Sequence, residues 1–435
     1  MIWLHVPFLN RFDSPQELVR IQHPSETEKS ENLIPEKGDC YGLYPQNIAE
    51  DWNEYLLRSI SDLFNKEKDF TINRMSANDA IRTHVGPSSP FEVLWKEVAD
   101  RTTADGFFDE HVRIEDVVAA VSSAKIVLSS VPKRGSQLKI ELLLEGGQRA
   151  LWKPKIVEIT EQIFGKPYDG PDRHNSEIVA FHLSRILNIR RTPVVVGRKV
   201  HLKNELFVTS EENLKRTFLY SSNGSFCFYG HCLYCDIRNP VCADHDGYLE
   251  GSVVLFLPEK LLPFSRMRSP WCRDYITHSS PSSVTNCSLC RGLKNHSFFG
   301  SEAVFLDLID MAVFDYLMGN ADRHLLEFTA SKVYQFQRLA LLDNGKGLRN
   351  SNVDELSILA PLYQCCRIRN STYLSLLRFA QQDIATALDT QLRVDHLYPV
   401  LTEAGLAAIY RRHRHVLALL RLCVEKYGLR NVVRS

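Results

Sequence analysis

Four residues of the sequence have side chains that phosphoryl transfer would use. They are Lys153 in LWKPK, Glu177 in DRHNSE, Asp322 in GNADRHLLEF and Asp343 in LLDNGKG. This chemistry needs a cation on the phosphates, carboxylates that hold a metal ion, and a residue that orients or deprotonates the acceptor hydroxyl. Lys153 would supply the cation, and the three carboxylates suit the other two roles.

Each of these residues also has an ordinary structural explanation. Lys153 could be a plain strand-end lysine, and Glu177 could be a solvated helix carboxylate. Asp322 could cap the apolar helix before it, and Asp343 precedes an Asn-Gly pair that is common in turns. The four residues nevertheless occur in the order that a catalytic loop followed by a metal-binding loop requires. We therefore predict a kinase-type active site.

Two motifs differ from those of ordinary protein kinases. Glu327 lies five residues after Asp322, where those kinases place a metal-binding asparagine, and the metal motif is Asp-Asn-Gly rather than Asp-Phe-Gly. The loop that would cover the nucleotide has a single glycine, so Gln137 and backbone groups would have to contact it. Glu177, Glu327 and Asp343 would form an acidic site that suits Mn²⁺ or Mg²⁺, which both prefer oxygen ligands.

The hydrophobic pattern predicts the elements that would position these residues. Helical periodicity marks NIAEDWNEYLLRSISDLFNKE, SSPFEVLWKEV and EDVVAAVSSA, with Ser89 as an N-cap and Pro90 as the first helical residue of the second. Three strand-like runs follow, AKIVLSSV, SQLKIELLLE and QRALWKP, and Gly146-Gly147 predicts a hairpin between the last two. The helix DRHNSEIVAFHLSRIL comes next, and then two further strands, RTPVVVGRKV and NELFVTS.

The second half of the sequence is different in character. From about residue 258 it is mostly helical, apart from cysteine-bearing loops and a predicted hairpin formed by KVYQFQ and LALLDNG. A small β-rich lobe with one prominent helix, followed by a larger helical lobe, is the layout of an atypical kinase-like, bilobal α+β fold. We expect an N-terminal arm and helical segment over 1–88, the small lobe with a cysteine-rich insertion over 89–252, and the large lobe over 253–435.

The overall composition excludes some classes of partner. Lys plus Arg and Asp plus Glu each number 52, so the formal charge is zero and no global basic field exists for nucleic acid. No apolar run approaches the roughly 20 residues of a membrane-spanning helix. The first residues lack the basic and apolar regions of a signal peptide, so we expect that any leader or membrane anchor is absent from this chain.

Cysteine and sequon positions indicate an oxidising compartment. Seven of the eleven cysteines lie between Cys227 and Cys290. Zinc ligation is the alternative, because Cys232 and Cys235 form a C-x2-C pair, but no second pair follows at zinc-finger spacing. Four N-x-S/T sequons fall within or beside the cysteine-rich stretches, as in disulfide-bonded secretory proteins: Asn223, Asn286, Asn295 and Asn370.

Several of these motifs together resemble the secretory-pathway kinases of the family with sequence similarity twenty. The motifs are GSQLK, LWKPK, DRHNSEIVAFHLSRIL, CFYGHCLYC, GNADRH, LLDNGKG and LAPLYQCC, and the resemblance extends from about residue 90 to the C-terminus. Within the family, LEGGQ, the C-x4-C-x2-C-x6-C spacing and DELSILAPLYQCC are similar to the branch that phosphorylates xylose rather than to the Golgi casein kinase.

The resemblance implies a role for each candidate residue and predicts an active enzyme. Asp322 would be the catalytic aspartate that takes the proton of the acceptor hydroxyl, and Asp343 and Glu177 would hold Mn²⁺. The other residues would bind ATP: Gln137 and Lys153 at the phosphates, Glu327 at the nucleotide and metal, and the backbone of Val253, Val254, Leu255 and Phe256 at the adenine.

The resemblance also implies a set of disulfides. Cys227 would pair with Cys242, and Cys232 with Cys235. Two further bonds would join Cys365 and Cys366 to Cys423 and to one of Cys287 or Cys290. The resemblance leaves the state of Cys40, Cys272 and the remaining member of CSLC open.

The implied reaction is transfer of the ATP γ-phosphate to the 2-hydroxyl of xylose in the galactosyl-xylose part of the proteoglycan linkage region, in the Golgi lumen. A homodimer or heterodimer within the family is also implied. The alternatives are a secreted protein kinase that phosphorylates serines in acidic contexts, and a silent nucleotide-binding partner that activates another kinase. Tyr229, Tyr234 and Trp271 could stack on a sugar, although packing is the more ordinary explanation for any one of them.

Overall fold

The structure is a computed structural model that describes residues 87, 89–133, 135–166, 168–262, 264–271, 289–329 and 337–435. The first predicted helix, most of the strand KVYQFQ, and the residues Cys40, Cys272, Asn286 and Cys287 lie outside these ranges. No helix in the described ranges is long and apolar enough to cross a membrane.

The first half of the described chain is built around one antiparallel sheet. Its elements are α1 (Phe91–Arg101), α2 (Ile114–Ser123), β1 (Ile126–Ser130), β2 (Ile140–Leu144), β3 (Arg149–Pro154), α3 (His174–Ile186), β4 (Val195–His201), a π-helix (Leu202–Phe207), α4 (Glu212–Lys215), β5 (Phe218–Tyr220), β6 (Phe226–Phe228), β7 (Val241–Cys242) and β8 (Tyr248–Leu255). Five of the strands form a sheet in the order β1-β2-β3-β8-β4, and β5, β6 and β7 form a separate small sheet.

The five-stranded sheet follows from the strand pattern and the glycine turn that the sequence shows. Ile140, Leu142 and Leu144 of β2 are fully buried, as the alternation of side chains along a strand requires. β3 follows after the turn at Gly146 and Gly147, which both have positive φ. The helix α3 is buried from His174 to Ser184 and packs against β4 and β8. The last residues of β3 and the first turn of α3 therefore lie in the interior.

The second half is mainly helical. Its elements are a 3-10 turn (Glu259–Leu261), β9 (Ser265–Arg268), α5 (Leu289–Asn295), α6 (Glu302–Met318), β10 (Leu325–Phe328), β11 (Leu339–Ala340), a second 3-10 turn (Leu356–Leu359), α7 (Ala360–Cys365), β12 (Ile368–Arg369), α8 (Asn370–Gln381), α9 (Ile384–Leu392), α10 (Glu403–Tyr427), α11 (Leu429–Val432) and β13 (Val433–Arg434). α6 is mostly apolar and is buried on all sides from Val304 to Met318, as expected for a central helix, although three of its buried residues are aspartates, Asp307, Asp310 and Asp315.

Three local predictions differ from the structure. NELFVTS does not form a strand, because His201 accepts a hydrogen bond from the backbone N–H of Asn204 and thereby starts a helical turn that buries Leu202 and Leu206. The helix predicted to begin at Pro90 begins one residue later, with Pro90 in the cap position and no side-chain cap from Ser89.

The third difference concerns the hairpin before Asp343. Leu325–Phe328, for which no strand was predicted, forms β10 and pairs with β9 and β11. A strand therefore begins three residues after Asp322, while most of the predicted strand KVYQFQ lies outside the described residues. The predicted lobe boundary at 252/253 lies within β8 and stays a prediction.

Candidate active site

The ammonium of Lys153 brings three carboxylates together. Lys153 lies near the end of β3 with only 9% of its side chain exposed. It donates a hydrogen bond to Glu177 of α3 and another, of 2.6 Å, to Asp343 Oδ1. Asp172 Oδ2 lies 3.7 Å from the same nitrogen. Residues from three distant parts of the sequence thus meet at one charged group.

The charges in this cluster stabilise one another. Burial alone would lower the pKa of Lys153, but Asp343, Glu177 and Asp172 raise that pKa well above its usual value. The positive charge of Lys153 in turn lowers the pKa of Asp343 far below its usual range. Lys153 and Asp343 are therefore both charged at neutral pH.

Glu177 is buried, so the alternative that it is a solvated helix carboxylate is wrong. Its side chain is 3% exposed. Besides the bond from Lys153, its carboxylate accepts hydrogen bonds from the backbone N–H of Asn344, at 3.0 Å, and from the Asn344 side-chain amide, at 3.4 Å. Glu177 thus contacts both the lysine of the sheet and the residue that follows Asp343.

Asp172 is a further carboxylate of the cluster, and it was not among the residues predicted for the site. The structure places Arg173 in the cap position, and the Asp172 side chain lies between Lys153 and Lys346, whose ammonium is 3.6 Å from Asp172 Oδ1. Burial raises the pKa of Asp172 to about 6, and the two lysines oppose that shift. The nearby glycine of the Asp-Asn-Gly motif, Gly345, permits this approach, because a Cβ there would lie 2.7 Å from that of Asp172.

Asp322 lies in a short loop after α6. The helix ends at Gly319, which has the left-handed conformation (φ 66°) typical of a residue just beyond a helix C-terminus. The side chain of Asn320 then accepts a hydrogen bond from the backbone N–H of Asp322, at 3.1 Å. Asp322 Oδ1 lies 3.3 Å from His324 Nδ1, and its side chain is 26% exposed. Asp322 is thus held by its own loop and remains accessible.

Arg323 connects this loop to the segment around Asp343, a contact that was not predicted from the sequence. Its guanidinium donates to both oxygens of Asp315, at 2.9 and 2.8 Å, and to Asn344 Oδ1, at 2.7 Å. It also donates to the carbonyl oxygen of Leu342. The only sequence signal was an arginine directly after a long apolar helix, where burial would require a charged partner.

The structure places the other two predicted side chains, Gln137 and Glu327, in a loop and on a strand. Gln137 lies in the loop between β1 and β2, and the neighbouring Lys139 helps to lower the pKa of Asp343. Glu327 lies on β10, where its carboxylate pairs with Arg266 of β9 at 2.5 Å. The structure therefore directs Glu327 at a neighbouring strand and not at Lys153.

The predicted adenine-side segment is the end of β8 and the residue after it. This strand lies between β3 and β4, and the backbone N–H of Phe256 bonds to the carbonyl oxygen of Arg149 at 2.9 Å. The segment comprises Val253, Val254, Leu255 and Phe256.

The three aromatic candidates for sugar stacking have different environments. Trp271 is buried and donates a hydrogen bond to Gln364 at 3.0 Å, so it is a packing residue. Tyr229 is half-buried, and Tyr234 is 68% exposed. Of the three, Tyr234 is the most exposed to solvent.

The cysteines form four disulfides in the described ranges. The resemblance left open whether Cys287 or Cys290 bonds to one of the adjacent cysteines Cys365 and Cys366. In the structure Cys290 is bonded to Cys365. The bonds are Cys227–Cys242, Cys232–Cys235, Cys290–Cys365 and Cys366–Cys423. The sequon residues Asn223, Asn295 and Asn370 are exposed.

Two carboxylates of the cluster have the chemistry to hold a hard divalent cation. Within the described ranges no three His, Cys, Asp or Glu side chains are arranged to hold a metal ion by themselves. Glu177 and Asp343 would therefore need further oxygen ligands, as in sites that bind Mg²⁺ through one or two carboxylates and the phosphates of a substrate. The residues fit a metal ion that binds together with a nucleotide.

Known proteins resemble this chain over most of its length. The family model described as "Golgi casein kinase, C-terminal, Fam20" matches residues 93–432. The human protein named glycosaminoglycan xylosylkinase is 39% identical over 375 residues, which cover 85% of this chain and 90% of that relative.

Two solved structures have a similar fold. The structure of hydra Fam20 with sugar has a TM-score of 0.74 and 37% identity, and the match covers 78% of this chain and 98% of that one. The Golgi casein kinase with Mn/ADP bound has a TM-score of 0.74 and 26% identity, covering 91% and 96%. These matches confirm the predicted α+β, kinase-like bilobal fold. The family model and the human relative both cover well over half of the chain, which is therefore a member of the Fam20 family.

Proposed function

We propose that this chain is an ATP-dependent kinase that phosphorylates the 2-hydroxyl of xylose in the glycosaminoglycan–protein linkage region. The observation that carries the catalytic part is the meeting of Glu177 and Asp343 at Lys153, with Arg323 joining that cluster to the loop of Asp322. Support for a sugar acceptor comes from the human relative named glycosaminoglycan xylosylkinase and from the hydra structure with sugar.

In the proposed mechanism each group of the cluster has one role. Glu177 and Asp343 would hold Mn²⁺, or Mg²⁺ in its place. The ion would supply positive charge that neutralises the phosphates of ATP. Lys153 would contact the phosphates, and Asp322, whose side chain is 26% exposed in its loop, would accept the proton of the acceptor hydroxyl.

The nucleotide would be held by residues around the cluster. The similar Golgi casein kinase structure, with Mn/ADP bound, supports this part of the proposal. The residues proposed for ATP are Gln137 near the phosphates, Glu327 near the nucleotide and metal, and the backbone of Val253, Val254, Leu255 and Phe256 near the adenine.

We assign the enzyme to the Golgi lumen. The described part of the chain has four disulfides and three exposed sequons, which are features of proteins that fold in an oxidising compartment. We propose galactosyl-xylose as the partner and expect no binding of nucleic acid. We also propose that the chain forms a dimer within the family. The proposed division is an arm over 1–88, a small lobe over 89–252 and a large lobe over 253–435.

The decisive experiment offers ATP and Mn²⁺ with either a galactosyl-xylose acceptor or a casein-like peptide. We expect transfer to the sugar, and we expect Asp322→Ala to abolish it while the melting temperature stays close to that of the wild type. Substantial transfer by Asp322→Ala would show that another residue takes the proton.

A protein serine kinase is the second candidate, because the matching family model is named after a casein kinase. Transfer to the peptide and not to the sugar would support this candidate and contradict the first. Transfer to neither acceptor would favour a silent partner that activates another kinase.

A further inference from the structure

Arg323, the residue directly after Asp322, is a buried arginine anchored to α6. Its side chain is 10% exposed, and its partner Asp315 is 2% exposed. Nε and one terminal nitrogen of the guanidinium donate to the two carboxylate oxygens of Asp315, at 2.9 and 2.8 Å. A bidentate pair of this kind fixes the plane and direction of the guanidinium.

The remaining donors of Arg323 point at the two neighbours of Asp343. One terminal nitrogen bonds to the carbonyl oxygen of Leu342, and the other bonds to Asn344 Oδ1 at 2.7 Å. Asn344 in turn donates to Glu177 through its backbone and its side-chain amide. The anchored guanidinium thus contacts the chain on both sides of Asp343 and, through Asn344, reaches Glu177.

Asp343 has a backbone conformation that needs such support. Its φ is 57°, in the left-handed region, which is uncommon for residues other than glycine. Its side chain is 69% exposed, and its carboxylate is held by the 2.6 Å hydrogen bond from Lys153 rather than by close packing. The contacts of Arg323 with Leu342 and Asn344 fix the position of the backbone on both sides of Asp343 relative to α6.

We infer that Arg323 is a positioning residue that sets the place of the metal-binding carboxylates Asp343 and Glu177 relative to Asp322. A lysine could not replace it, because one ammonium group cannot span Asp315, Leu342 and Asn344 as a planar guanidinium does. The inference rests on the nucleotide and metal site of the proposed function, and it is independent of the acceptor.

The test compares Arg323→Lys with a matched control, Arg411→Lys. The guanidinium of Arg411 also bonds bidentately to a largely buried aspartate, Asp354, and to one carbonyl oxygen, that of Ser351. Binding is measured as the rise in melting temperature caused by Mn²⁺ with ADP, and catalysis as the Mn²⁺ concentration that half-saturates transfer.

We expect Arg323→Lys to raise the half-saturating Mn²⁺ concentration by about 10- to 100-fold, the range seen when partners of metal ligands are removed. The rise in melting temperature caused by Mn²⁺ with ADP should shrink in parallel. Arg411→Lys should lower the melting temperature of the ligand-free protein but leave the Mn²⁺ dependence unchanged. The same Mn²⁺ dependence in both variants would overturn the inference.

If Arg323→Lys does not fold, Asp315→Asn takes its place, because it removes the charge of the anchor without touching the segment around Asp343. We expect it to shift the Mn²⁺ dependence in the same direction, and no shift would overturn the inference. A wild type that gains no stability from Mn²⁺ with ADP would also overturn it. A wild type that binds Mn²⁺ with ADP and phosphorylates neither acceptor would contradict only the proposed function.

Discussion

Lys153 and Glu177 form an ion pair that is almost fully removed from water, with side-chain exposures of 9% and 3%. Lys153 belongs to the third strand of the sheet and Glu177 to the first turn of α3, so the pair fixes the helix against the sheet. Asp343 bonds to the same ammonium at 2.6 Å. Any change at Lys153 should therefore affect both the fold and the chemistry.

The first prediction is that Lys153→Met destabilises the protein by about 3–5 kcal/mol, the usual cost of removing one partner from a buried ion pair. Glu177 would lose the ammonium with which it pairs in the interior. Urea unfolding measures the change. Lys155→Met is the control, because Lys155 lies just after the same strand but is 25% exposed and pairs with partly exposed carboxylates. An equal loss of unfolding free energy in the two variants would show that the buried ion pair contributes no more to stability than the exposed ones.

The features that the sequence predicted are those with local signals. The strands β2 and β3 follow from alternating apolar residues and the Gly146-Gly147 turn, and α3 follows from its periodicity. NELFVTS was predicted wrongly because a short apolar run such as Leu206, Phe207 and Val208 is typical of a buried strand as well as of a buried helical turn. The bond from Asn204 to His201 at the start of the helical turn was not visible in that pattern.

The contacts that organise the site join residues far apart in the sequence. Arg323 bonds to Asn344, and Asp172 approaches Lys346, only after the chain has folded. The sequence showed that these charged residues lie beside the motifs but not which partners they have. A buried charge needs a partner, and the sequence alone does not identify which residue that partner is.

The second prediction concerns Asp395 and the dependence of stability on pH. Its carboxylate accepts hydrogen bonds from the backbone N–H groups of Gly197, at 2.8 Å, and Leu397, at 2.9 Å. Burial nevertheless raises the pKa of Asp395 to about 6. The folded state therefore binds this proton more tightly than the unfolded state, and stability falls as pH rises from about 4 to about 6.

Asp395→Asn removes that titration. The free energy of unfolding of the wild type should fall relative to the variant by about 3 kcal/mol between pH 4 and pH 7, following the usual conversion of a pKa difference. Urea unfolding at several pH values measures both curves. Parallel curves would mean that Asp395 titrates at the same pH in the folded and unfolded states.

The third prediction concerns His324. A hydrogen bond to Asp322 raises the pKa of His324, and partial burial opposes this shift. Below that pKa the imidazolium pairs with the carboxylate that should take the acceptor proton, so activity should rise as pH increases through it.

In His324→Asn this pairing is lost, and the acid side of the activity profile should move to lower pH. The pH dependence of kcat/KM measures the shift. His245→Asn is the control, because His245 is 88% exposed and pairs with Asp246, away from the catalytic loop. An unchanged acid limb in His324→Asn would show that another group sets it.

The last prediction concerns Glu327, whose carboxylate pairs with Arg266 of β9 at 2.5 Å. If Glu327 also serves the nucleotide and metal, Arg266 competes for it. Arg266 is 48% exposed, so the pair contributes at most about 1 kcal/mol, equivalent to about a fivefold effect on binding. Arg266→Ala should therefore lower the half-saturating Mn²⁺ concentration by up to about fivefold. Arg268→Ala, two residues along the same strand and opposite Leu325, should leave it unchanged. A higher Mn²⁺ requirement in Arg266→Ala would mean instead that Arg266 holds Glu327 in its working position.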